Sequence, residues 1–84
     1  MIIKTETGSV YSLDRGILTK KGDNLMAYKV HFMAPFEHGT VNDLEDLNNL
    51  KPGQPEIGKR MYFSGLGEWN VTTTVVEVIE ENNE

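Results

Sequence analysis

The sequence predicts a small, mostly β domain, either an antiparallel barrel or a tight sandwich, with about six strands and one short helix. The 84 residues leave room for a single hydrophobic core, the size class of SH3-like and OB-like domains. Runs of β-forming residues are separated by turns rich in glycine, asparagine and aspartate. Because the first four runs are joined by short connections, we expect successive strands to pair antiparallel.

Three strands are predicted before residue 21. They cover 2–7, 10–13 and 17–20, and the glycines of 7–9 and 14–16 mark the turns between them. These three strands are expected to form a meander.

The clearest strand is predicted at 25–33, after a turn at 21–24. One of its faces carries the larger apolar residues: Met26, Tyr28, Val30 and Phe32. The opposite face carries Ala27, Lys29 and His31. We expect the first face to point into the core, and Pro35 to end the strand because proline donates no backbone hydrogen bond.

A short helix is predicted from the three-residue spacing of Val41, Leu44 and Leu47. Thr40 or Asn42 is the expected N-cap. The Lys-Pro-Gly sequence at 51–53 is expected to prevent the helix from continuing.

Two strands are predicted in the last third of the chain, at 60–64 and 68–80. The apolar positions of the second strand change phase between Val75 and Val76, which predicts a bulge or bend near Thr74. Such a bend lets one strand serve two sheets. The domain is therefore expected to cover 1–80, followed by a frayed acidic tail at 81–84.

Composition narrows the expected location and partners. The chain has no cysteine, no secretory signal and no apolar run long enough to span a membrane, so a cytoplasmic protein is expected. Its net charge is −5, and residues 43–84 carry nine acidic and three basic groups. This balance disfavours direct nucleic-acid binding and favours a protein partner with a basic surface.

No motif for catalysis is found. His31 and His38, with Glu37 beside the second, are the only candidates for acid/base or metal chemistry, and no third metal ligand is evident. Gly65-Leu66-Gly67 lacks the helix that a dinucleotide site requires. The expected protein is not an enzyme and uses neither a metal nor another cofactor.

Acidic residues form the main predicted binding site. If they share one surface, they can meet a basic partner: Asp43, Glu45, Asp46, Glu77, Glu80 and Glu81. A solvated helix face is the alternative interpretation of the first three.

A second hypothesis is a ligand- or nucleotide-binding oligomeric barrel. Its pocket would combine aromatic rings with a basic pair: Lys59, Arg60, Tyr62 and Trp69. Packing of Trp69 in the core is the alternative interpretation.

The apolar run from Val71 to Ile79 has few charges. If it is an edge strand, it invites homo-oligomerisation or strand addition, whereas a central strand would already be paired on both sides. The sequence leaves both readings open.

The segments 3–11 (IKTETGSVY) and 71–78 (VTTTVVEV) resemble the two ends of small accessory β proteins of bacteriophages and prophages. The resemblance implies an accessory protein that inhibits or regulates a host enzyme by occupying a binding site. It assigns no functional residue.

Overall fold

The computed structural model describes residues 1–22 and 27–80, which form eight strands and one helix. The predicted residues Leu25, Met26 and Glu81 and the tail at 81–84 lie outside the described residues. The elements are β1 (Ile2–Thr5), β2 (Val10–Asp14), β3 (Ile17–Lys20), β4 (Tyr28–Lys29), β5 (Phe32–Phe36), α1 (Leu44–Asn48), β6 (Arg60–Gly65), β7 (Glu68–Val71) and β8 (Val75–Ile79).

The strands form two antiparallel sheets. The large sheet has the order β4-β3-β2-β1-β8, and the small sheet has the order β5-β6-β7. The prediction of a mostly β, barrel-like or sandwich domain with one short helix is confirmed.

The chain passes from one sheet to the other at two places, which we call passages. The first passage lies between β4 and β5. The Val30 N–H donates to the Gly16 carbonyl beside the large sheet at 2.7 Å, and the His31 N–H donates to the Ser64 carbonyl of the small sheet at 2.8 Å. The prediction of one unbroken strand at 25–33 is therefore wrong, because the backbone changes sheets at two consecutive residues.

The side chains alternate as predicted only up to this passage. Tyr28 and Val30 pack against the buried residues between the sheets, while Lys29 and His31 are exposed. The prediction that Phe32 shares the face of Tyr28 is wrong, because the backbone changes sheets before it and Phe32 packs with Tyr62 on the other side of the small sheet.

Pro35 does not end the strand as predicted but lies within β5. Proline is tolerated there because β5 is an edge strand, where a missing N–H leaves no ladder partner unsatisfied.

The second passage lies between β7 and β8 and confirms the predicted bend. The Thr72 N–H donates to the Met61 carbonyl at 2.9 Å, and three residues later the Val75 N–H donates to the Lys59 carbonyl at 2.9 Å. The pairing of β8 with β1 then shifts register between Lys4 and Thr5, as expected for a β-bulge.

If each bent segment is counted once, the eight strands make the six that the sequence predicts. Pairing runs from β1 to β2, β3 and β4 in the large sheet, and the bent segment carries β4 into β5. In the small sheet it runs from β5 to β6 and β7, and the second bent segment carries β7 into β8, which pairs with β1 and closes the path. The sheets also approach closely at Gly65, where a Cβ would collide with the carbonyl oxygen of Lys29. Glycine is therefore required at the end of β6.

The core has two parts, one on each face of the small sheet. The inner part lies between the sheets and contains Ile3, Tyr11, Leu18, Met61, Phe63 and Val75. The outer part lies beneath α1 and contains Phe36, Leu47 and Tyr62. Because both faces of β6 are covered, three consecutive residues, 61–63, are buried.

The helix begins later than either predicted N-cap allows. Its N-cap is Asp43, whose backbone is extended and whose Oδ1 accepts the Asp46 N–H at 3.0 Å. The Asp46 carboxylate in turn accepts the Asn42 N–H at 2.8 Å. The prediction of Thr40 or Asn42 as N-cap is wrong because the carboxylate of Asp43 satisfies the free N–H group at the helix start.

We predict that Thr72→Val lowers the free energy of unfolding by about 1–3 kcal/mol, because Thr72 is buried and its Oγ1 accepts the Met61 N–H at 2.9 Å. Urea denaturation followed by circular dichroism measures the change. Thr72→Ser keeps the hydroxyl and is the matched control. Equal stability of the valine and serine variants would contradict this role of the hydroxyl.

Candidate functional site

The predicted acidic residues lie on two separate elements. Asp43 and Asp46 are engaged in hydrogen bonds at the start of α1, whereas Glu45 is exposed beside them. Glu77 of β8 lies 3.6 Å from the ammonium group of Lys4, and Glu80 is exposed just beyond the strand. Three of these five carboxylates therefore have a partner within the chain.

The four residues of the predicted ligand pocket are placed differently from one another. Tyr62 is buried beneath α1, and Trp69 is 57% exposed. The Lys59 ammonium lies 3.4 Å from the Glu56 carboxylate. The register of β6 and β7 places Arg60, Tyr62 and Trp69 on the same outer face of the small sheet. Tyr62 is thus occupied in packing, and the interpretation of Trp69 as a core residue is wrong.

Arg60 lines a groove of about 300 Å³ between α1 and the small sheet. Its Nε donates to the Thr72 carbonyl at 2.9 Å, and its guanidinium lies 5.4 Å from the ring centroid of Phe36. These contacts fix the side chain. Within residues 1–22 and 27–80, no carboxylate forms an ion pair with it. Apolar side chains, including Leu44 and Val71, form the walls.

The most exposed apolar side chains of the small sheet lie at the hairpin that joins β6 and β7. Gly65 pairs with Glu68, so Leu66 and Gly67 form a two-residue turn in which Gly67 has a φ of 79°. Leu66 is 89% exposed at the tip, and Trp69 is 57% exposed at the base. Sequence reasoning missed Leu66, although its position between two glycines indicates the tip of a tight turn.

The sequence left open whether the run from Val71 to Ile79 is an edge strand or a central strand. The structure shows that its β8 part is an edge strand. It is the last strand of the large sheet, and its Val76 and Ile79 are 50% and 38% exposed. Among residues 1–22 and 27–80, the outer side of β8 is occupied only at its first residue, where the Gly58 N–H donates to the Val75 carbonyl at 2.8 Å. Gly58 has a φ of 92°, a conformation that favours glycine.

The candidate catalytic residues lie on the surface. His31 is exposed at the passage between β4 and β5, and Glu37 and His38 are exposed in the loop after β5. In the described part of the chain, no three His, Cys, Asp or Glu side chains assemble into a metal-binding group. Over the same residues, no helix is both long enough and apolar enough to cross a bilayer.

The fold changes the ionisation of Tyr28. Burial, followed by the nearby Glu68 carboxylate and the rings of Tyr62 and Tyr11, raises its pKa from 10.0 to about 12. The Tyr28 hydroxyl donates to the Phe63 carbonyl at 3.4 Å. The Tyr28 phenol is therefore held in its neutral form where the chain passes between the sheets.

The sequence matches no family model, and no curated protein or solved structure matches the chain. The likeness of its terminal segments to phage accessory proteins stays a prediction. The exposure, charge and contacts of its own residues are the grounds on which its function is inferred.

We predict that Tyr28→Phe reduces the loss of stability between pH 10 and pH 12. The unfolded chain releases the phenolic proton near 10.0 and the folded chain near 12, so rising pH favours unfolding in this interval. Urea midpoints measured from pH 9 to pH 12 give the dependence for both proteins. Parallel curves for the two proteins would show that Tyr28 does not couple ionisation to folding.

Proposed function

We propose that this protein is a small non-catalytic binding module that contacts a host protein with a basic surface. The β6–β7 hairpin is the centre of the contact, with Leu66 and Trp69 as its apolar anchors. The exposure of these two side chains on a short, hydrogen-bonded turn is the observation that carries the proposal.

The chemistry of the hairpin favours a protein partner. Tryptophan is enriched among residues that dominate binding energy at protein interfaces. A side chain on a tight turn is already ordered, so less conformational entropy is lost when it binds. Leu66 at the tip adds apolar area that contacts within the chain do not use.

Charge supports a basic partner. The chain carries a net charge of −5, and Glu68 is exposed in the same hairpin, on the opposite face from Trp69. Complementary charge speeds association and selects among partners more than it raises affinity. A module of this kind regulates or inhibits its partner by covering a functional surface, which is also the role that the phage resemblance implies.

We predict that Trp69→Ala weakens partner binding by about 2 kcal/mol or more, roughly 30-fold. The partner is recovered with the tagged wild-type protein from a host lysate and is then titrated against each variant. Leu44→Ala is the matched control because Leu44, at 61%, is similarly exposed but lies on α1. Equal losses for both variants would remove the hairpin from the interface.

Salt tests the electrostatic part of the proposal separately. Between 50 and 500 mM NaCl we expect the association rate and the affinity to fall, because exposed charges are screened. An affinity that does not change with salt would exclude a basic surface as the partner, whatever the Trp69 variant shows.

Arg60 favours a second candidate function, the binding of an anionic ligand such as a nucleotide in the groove beneath α1. Its guanidinium is held by Thr72 and Phe36 and forms no ion pair within the described residues, and Asp43, which also lines the groove, is engaged by the Asp46 N–H. Stacking on Tyr62, as the sequence suggested, is not available because that ring is buried. The ligand would instead pack against the apolar walls of the groove.

We predict for this second function that a nucleotide at 100 times its dissociation constant stabilises the protein by about 2.7 kcal/mol. A thermal-shift series with nucleoside mono- and triphosphates measures the effect. Arg60→Met should abolish the shift, while Lys51→Met, which removes an exposed charge outside the groove, should retain it. Absence of any shift for the wild-type protein would eliminate this candidate.

A further inference from the structure

We infer that the outer edge of β8 accepts an extended, basic segment of a partner protein as an additional strand of the large sheet. The inference rests on the proposed function, since it assumes a protein partner with a basic surface. It adds a second contact, distinct from the hairpin, and states how the partner chain is held.

The backbone of β8 provides the first argument. β8 pairs with β1 on one side, and among the described residues no strand pairs with 76–79 on the other. An edge strand presents unpaired N–H and C=O groups, and an extended peptide satisfies them by strand addition. The bond between Gly58 and Val75 marks the point where the free edge begins.

The side chains indicate what the added strand contains. Val78 is opposite the buried Ile3 and points into the core, whereas Glu77 and Ile79 are opposite Lys4 and Ile2 and lie on the outer face. A neighbouring strand places alternate residues beside these two side chains. Lysine or arginine beside Glu77 and an apolar residue beside Ile79 give the complementary pattern.

A second copy of the chain fits this edge less well. Two antiparallel β8 strands would bring Glu77 and Glu80 of each copy into one short ladder, and the ion pair between Lys4 and Glu77 is already made within each copy. Like charges on paired strands are destabilising. A basic segment supplies the charge that a second copy lacks, so we assign the edge to a partner of different sequence.

The test uses the full chain and a fluorescent heptapeptide in which lysine and valine alternate along one face, acetyl-Lys-Thr-Val-Thr-Lys-Thr-Val-amide. We expect saturable binding by fluorescence polarisation. We also expect amide hydrogen exchange of 76–79 to slow at least about tenfold at saturation, because strand addition protects edge amides. A peptide of the same composition with its two lysines in one block, acetyl-Lys-Lys-Thr-Thr-Thr-Val-Val-amide, should bind at least about tenfold more weakly.

Two charge reversals localise the contact. Glu77→Lys should weaken binding of the alternating peptide at least about tenfold. Asp14→Lys is the matched control, because it makes the same charge change at an exposed site on β2, which is paired on both sides. Thermal melts establish that both variants are folded. If Glu77→Lys fails to fold, Ile79→Ser against Ile17→Ser gives the same comparison at two sites of nearly equal exposure, 38% and 39%.

Three results would overturn the inference. They are equal binding of the alternating and block peptides, unchanged exchange at 76–79 with bound peptide, and a dimer in sedimentation whose own contact already protects 76–79. Failure of strand addition at β8 does not contradict the proposed binding through the hairpin. A natural partner that is lost with Trp69→Ala but retained with Ile79→Ser would support the hairpin and reject strand addition.

Discussion

The fold depends on the hydrogen bonds that keep the backbone paired while it passes from one sheet to the other. At Val30 and His31, consecutive N–H groups donate to carbonyls associated with different sheets. At the second passage, the Thr72 and Val75 N–H groups donate to the carbonyls of Met61 in β6 and of Lys59 directly before it. A buried backbone group without a partner costs about 1–3 kcal/mol, so bends in such a small core are tolerated only where partners are available. The Thr72 hydroxyl supplies the partner that the bent backbone does not.

This closure decides which side chains remain available for binding. The small sheet is covered on its inner face by the large sheet and on its outer face by α1, so Phe36 and Tyr62 are occupied in packing. The helix is only five residues long and does not cover Trp69 at the far end of the same face. The bend before β8 similarly leaves that strand paired on one side. Trp69 is therefore exposed because α1 ends before it, and β8 has a free edge because the large sheet ends there.

Local sequence signals predicted the strands well because alternation and glycine turns act over a few residues. They failed where a distant segment decides the outcome. The run at 25–33 alternates without interruption, yet it divides because Gly16 and Ser64 supply acceptors in different sheets. Pro35 reads as a strand end, but it is compatible with an edge position that only the sheet order reveals. The site was harder to predict, because the exposure of Trp69 depends on how far α1 extends.

Charge has a different role in the folded chain from the one that a residue count suggests. Asp43 and Asp46 stabilise the start of α1, and Glu77 pairs with Lys4, so three of the predicted acidic binding residues already have partners within the chain. Glu68 is exposed in the hairpin, on the opposite face from Trp69, and Glu80 is exposed next to Ile79 of β8. Apolar contact provides most of the binding energy at protein interfaces, and charge selects the partner. In this domain exposed apolar groups and carboxylates occur in the same two places, because the short helix leaves the hairpin uncovered and the bend before β8 leaves one strand edge free.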